Sequence, residues 1–114
     1  MKIEEQVLNI SQVQKLIELG FDINKYSSLK SNGKQIIVKD DFYIGGAPLF
    51  PTLTIGDIID VLPTEIGKYV LNINRRDVSY DSRTNILFYA YRYRFIDSLF
   101  DCLVWVIKQK HIDL

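Results

Sequence analysis

The sequence predicts an α+β domain. It should hold an antiparallel sheet, an N-terminal hairpin plus a three-stranded meander, with helices packed on one face in the order α-ββ-α-βββ-α. Three observations carry this. Strand-like runs cluster instead of alternating singly with helices, which argues against parallel βαβ units. The last three runs, Tyr69–Asn74, Val78–Ser82 and Ile86–Tyr93, are joined by short connections that suit antiparallel neighbours and are too short for crossovers. Phe95–Leu114 then reads as the longest amphipathic helix of the chain.

The bulk composition fits one globular domain. The 114 residues are 47% apolar and 25% charged, far from the composition of disordered chains. A chain this long buries roughly two-thirds of its unfolded surface and needs neither disulfide nor metal to fold. Formal net charge is zero, so no overall basic field draws nucleic acid or anionic lipid. The charge is uneven, however: residues 1–65 hold six Lys against nine Asp and Glu, and residues 66–114 hold eight Lys and Arg against five Asp. Cys102 is alone, which excludes an intrachain disulfide. The opening MKIEEQVLNISQ contains no apolar run of signal-peptide length, and the longest apolar run, Cys102–Ile107, is far short of a membrane span. A cytoplasmic protein without membrane contact is expected.

Each element has a local reason. Ser11 and Gln14 have capping-box spacing, Val13, Leu16 and Ile17 follow at helical spacing, and Gly20 suits a left-handed stop, giving a helix over Gln12–Leu19. Asn32-Gly33 is the strongest short hairpin signal, with Tyr26–Lys30 and Gln35–Lys39 as its strands. Gly45-Gly46 and Pro48 make Phe42–Phe50 mostly loop. Thr54 caps a helix over Ile55–Leu62, Asp57 favours its first turn, and Pro63 closes it.

The phrases Leu16–Gly20, Pro51–Pro63, a strand meander, and Ile96-Asp97 leading to Trp105-Val-Ile-Lys108 follow one another along the chain. In this arrangement the sequence resembles a group of short proteins of bacteria, their phages and mobile elements. The resemblance spans nearly the whole chain, but its phrases are structural and none is a catalytic signature. It implies a small α+β domain of unknown role, carried on mobile DNA, and assigns no site residues.

Several chemistries lack their parts. The only histidine, His111, lies nine residues beyond Cys102, about 13.5 Å of helical rise, so the two cannot form a nucleophile–base pair on one helix. Asp57 with Asp60, and Asp97 with Asp101, have helix-face spacing that could donate oxygens to a hard cation, but such ions need further ligands. Ser31-Asn-Gly-Lys34 lacks the leading glycine and trailing hydroxyl of a phosphate loop. No catalytic residue, cofactor or metal is expected, and a non-enzymatic role is the reading.

Two surfaces are candidates. On a helical wheel of Phe95–Leu114, Trp105 falls on the polar side among Asp101 and Lys108, with Ile112 beside it. Trp is enriched among residues that anchor interfaces, so the leading expectation is a protein-interaction domain, self-associating or partner-binding through Trp105, Ile112, Asp101 and Lys108. Cover of Trp105 by the N-terminal segment is the competing reading. The alternative function lies on Leu87–Arg94. Alternation places Tyr89, Tyr91 and Tyr93 on one face, with Arg92 and Arg94 on the other and Arg75, Arg76 and Arg83 in the neighbouring loops. Aromatic rows flanked by arginine can stack single-stranded bases, so nucleic acid is the alternative partner.

Overall fold

A computed structural model describes residues 5–31, 36–38 and 50–114, with backbone alone at 29–31 and 36–38. Its elements are α1 (Ile10–Glu18), α2 (Ile23–Tyr26), β1 (Leu29–Ser31), β2 (Ile36–Val38), β3 (Phe50–Thr52), α3 (Ile55–Val61), β4 (Glu65–Ile66), β5 (Tyr69–Asn74), β6 (Asp77–Asp81), β7 (Ile86–Tyr91) and α4 (Phe95–Lys108). The α+β class holds. The strands divide into two antiparallel sheets, β2-β1-β3 and β4-β5-β6-β7, so the N-terminal hairpin pairs with β3 and does not join the meander. The Asn32-Gly33 turn and most of the Phe42–Phe50 loop lie outside the described residues.

Helix α1 starts two residues before its expected position. Asn9, as good a cap as serine, accepts the Gln12 N–H at 2.8 Å, and the Gln12 side chain accepts the Asn9 N–H at 3.0 Å. Its end is a Schellman motif. Gly20, at φ +90°, donates to the Ile17 carbonyl at 2.9 Å, and Phe21 donates to the Leu16 carbonyl at 2.9 Å. This turn sends Phe21 and Ile23 back into the core beside Leu16. Tyr26, expected in a strand, ends α2 and stacks on Phe21 with ring centroids 4.9 Å apart.

Residues 6–8 run alongside the exit of β3. Val7 bridges Thr54, Leu8 donates to the Leu53 carbonyl at 3.0 Å, and the buried Thr52 hydroxyl donates to the Leu8 carbonyl at 2.8 Å. Thr54 and Asp57 cap α3 reciprocally, each side chain accepting the other's backbone N–H at 3.0 Å. The core lies between α1, α3 and α4 and the inner face of the four-stranded sheet, with Leu16, Ile58, Val78, Tyr80, Leu99 and Leu103 fully or almost fully buried.

Helix α4 ends at Lys108, six residues short of the span its periodicity suggests, again in a Schellman motif. Lys110, at φ +59°, donates to the Ile107 carbonyl, and His111 donates to the Val106 carbonyl, both at 3.0 Å. The two motifs share a geometry but not a residue type, and only glycine enters the left-handed region without cost. Lys110→Gly should therefore raise unfolding free energy, and Gly20→Ala should lower it, by about 1 kcal/mol each in denaturant titrations.

Candidate functional site

The sequence points to α4 and to β7, and the structure treats them differently. Trp105 projects from the flank of α4 toward the sheet, and its surroundings are rings of its own chain. Phe88 stacks on it at 4.8 Å between centroids, Tyr80 lies at 5.8 Å and His111 at 5.2 Å. The turn at Lys110 is what lays His111 there. Among the described residues, the rings that cover it come from the sheet and the C-terminal tail. Ile112 is also half-buried against the core.

The polar residues beside Trp105 are occupied in part. Asp101 pairs with Arg92 at 3.4 Å across a largely exposed contact. Burial lifts the Asp101 carboxyl above its usual range, the Arg92 charge works against this, and Asp97 adds to it. Lys108 is exposed. Arg94 donates to Asp97 at 2.9 and 3.2 Å, and the Gln12 amide donates to the same carboxylate at 2.8 Å, which ties α1 to α4. Ser98 is buried, its hydroxyl accepting the Arg92 N–H at 2.8 Å where β7 gives way to the helix.

The tyrosine row sits on the opposite face of the sheet. Strand alternation sends Phe88 and Ala90 inward, opposite Tyr80 and Val78 of β6, and sends Leu87, Tyr89 and Tyr91 outward. Tyr89 and Tyr91 are each 55% exposed and Tyr93, just past the strand, 84%. Ile86, which strict alternation would put with Phe88 and Ala90, is 68% exposed because the register shifts opposite Tyr80 and Asp81 at that end. Arg92 is exposed, and Arg94 is held by Asp97.

Residues of the adjoining hairpin complete this surface. Arg75 and Arg76 form the two-residue turn between β5 and β6, with Arg75 at φ +56°. The Arg76 guanidinium lies 5.8 Å from the Tyr91 ring and 5.5 Å from the Tyr93 ring, and it donates to the Tyr93 carbonyl at 3.3 Å. Local desolvation, followed by the charge and hydrogen-bonding influence of Asp77, holds the Tyr89 phenol above its usual value. At the far end of the sheet, Lys68, Asp81 and Arg83 line a shallow depression of about 600 Å³. Asp81 there accepts hydrogen bonds from Asn72 and Ser79. The sequence reading named Arg76 but not Asp77; the alternation of β6 could have placed Asp77 beside the tyrosines.

Burial, reinforced by the Asp101 charge, pushes the Cys102 thiol up to about 12, so it is inert at neutral pH. Asp57 caps α3 and accepts both the hydroxyl and the backbone N–H of Ser28. Among the described residues, no group of three or more His, Cys, Asp and Glu could hold a metal ion, and no helix is long and apolar enough to cross a membrane. No family model, curated protein or solved structure matches the chain.

Two outcomes test these placements. Trp105→Ala should cost about 3 kcal/mol of unfolding free energy, the loss expected for a packed tryptophan, where an unoccupied surface ring would cost almost nothing. Asp101 binds its proton more tightly folded than unfolded, so its contribution to stability falls as pH rises through the window above the ordinary carboxylate value. Asp101→Asn should therefore gain stability relative to wild type between acid and neutral pH, read as a widening difference in Tm.

Proposed function

We propose that this chain is a non-enzymatic protein-interaction domain whose docking surface is the outer side of β7, centred on Tyr89 and Tyr91. One observation carries the reading: large apolar and aromatic side chains that a lone domain would cover are gathered on one strand and its flank. Ile86, Leu87, Tyr89, Tyr91 and Tyr93 are all exposed within eight consecutive residues. At about 200 Å² for a whole tyrosine, their exposed portions amount to roughly 550 Å², the upper end of what monomeric proteins leave uncovered. Tyrosine is suited to this role because its rigid ring brings contact area at small entropic cost. The helix surface around Trp105 has less to offer, since that ring is already stacked within its own chain. Its neighbour Lys108 forms the periphery of the domain and not the centre of a contact.

Single-strand binding is the second reading, and Arg76 between Tyr91 and Tyr93 favours it. Asp77 and Asp81 weigh against it. They lie on the same sheet face as the tyrosines, opposite Tyr91 and Val70, where a phosphate backbone would meet negative charge. The resemblance to proteins of phages and mobile elements names no ligand, so both readings rest on the surface alone.

A photo-activatable phenylalanine analogue placed at Tyr89, with Lys108 as the control position, tests the proposal in cells. Position 89 should give protein adducts and position 108 few or none. Adducts confined to position 108, or to nucleic acid, would overturn it.

A further inference from the structure

Resting on that reading, we infer that the partner protein lays an arginine side chain on Tyr89, at the centre of the outer sheet face and between the carboxylates of Asp77 and Asp81. The strand pairing sets out this face in rows. Asp77 lies opposite Tyr91, Ser79 lies opposite Tyr89, and Asp81 lies between Val70 and Ile86. Val78 and Tyr80 are fully buried, so alternation turns Asp77, Ser79 and Asp81 of β6 to the outer side, where Tyr89 and Tyr91 stand exposed. Ser79 is midway between the carboxylates, two residues or about 7 Å of strand from each.

The charges of the face favour a cation at that point. The chain's own cations stand at the ends of the strands: Arg75 and Arg76 in the β5–β6 turn, Arg83 in the β6–β7 turn and Lys68 just before β5. The two carboxylates lie between these ends. Among the described residues no ion pair engages Asp77 or Asp81. Asp81 is nevertheless fixed, because Asn72 donates to one of its oxygens and Ser79 to the other, which leaves each oxygen able to accept again. Asp77 is near enough to Tyr89 for its charge to raise the phenol. An acidic group laid on Tyr89 would be repelled from both sides, and an apolar one would cover the carboxylates without pairing them.

The rings select arginine among cations. Arg76 shows how this row takes a guanidinium, lying 5.8 Å from the Tyr91 ring and 5.5 Å from the Tyr93 ring. Tyr89 is the next ring along, 55% exposed, and among the described residues no cation lies over it. A planar guanidinium stacks on a phenol ring while directing N–H groups sideways to a carboxylate, a geometry that the ammonium of lysine lacks. The methylene stem of such a residue would rest on the exposed Ile86.

The test uses the full chain, isotopically labelled at its tyrosine rings, and two probes: acetylarginine amide and its neutral isostere acetylcitrulline amide. In an NMR titration the arginine probe should shift the Tyr89 ring signals saturably, and the citrulline probe should leave them in place. Asp77→Asn and Asp81→Asn, each checked for an unchanged circular dichroism spectrum, should each weaken the arginine probe about fivefold, the loss of one exposed charge contact. Asp101→Asn, on α4, should not weaken it. Equal shifts with citrulline, unchanged affinity in both sheet variants, or an unmoved Tyr89 signal would overturn the inference. The photo-activatable analogue at position 89 separates this inference from the reading beneath it. Its protein adducts should fall when Asp77→Asn is added. Adducts of undiminished yield would overturn the arginine and leave the docking surface standing. Absence of protein adducts from the chain with both carboxylates intact, or adducts to nucleic acid, would overturn both.

Discussion

The packing of α4 on the inner face of the four-stranded sheet depends on one aromatic group. Trp105 lies on Phe88 of β7 and beside Tyr80 of β6, and the chain returns after the helix to place His111 on its remaining side. Each ring pair contributes about 0.5–1.5 kcal/mol beyond the burial of its area. Tyr80 extends the group further, since its hydroxyl donates to the Pro63 carbonyl at 2.7 Å and anchors the end of α3 to the sheet. Burial, with the Cys102 thiol nearby, holds the Tyr80 phenol well above its ordinary value, so that donor keeps its proton throughout the physiological range. Removing Trp105 would separate three elements at once.

That group also decides what remains for function. A strand has two faces, and β7 gives Phe88 and Ala90 to the interior. The side chains between them must then point away from the core, and here they are tyrosines and a leucine. Arg76 and Asp77 border the exposed row with one charge of each sign, and Asp77 restrains the Tyr89 hydroxyl. Such a surface is ordered by short-range contacts before any partner arrives, which lowers the entropy cost of binding. The account therefore runs from an inward aromatic clamp, through the parity of one strand, to an outward docking face.

Much of this was legible in the chain because it rests on local rules. The alternation of Leu87–Arg94 gathers the tyrosines on one face without saying which face of the sheet that is, and Thr54, Gly20 and Pro63 mark helix ends that the structure keeps. What stayed hidden depends on partners distant in sequence. The hairpin's pairing with β3 joins residues about twenty positions apart, and no local pattern specifies it. Strand β3 holds Pro51 at its centre, which is tolerated because β3 lies at the edge of its sheet. A helical wheel places Trp105 among polar residues. It could not show that the sheet and the returning tail reach round the helix to Trp105, or that the first turn must accept the Arg92 N–H.

Hydrogen exchange resolved at single amides in β7 tests the central claim most directly. The N–H groups of Phe88 and Ala90 face β6 and should be protected. Those of Tyr89 and Tyr91 point out of the sheet and should exchange much faster in dilute solution. Protection of Tyr89 and Tyr91 equal to that of Phe88 and Ala90 would mean that β7 presents its other parity to the core and would contradict the account.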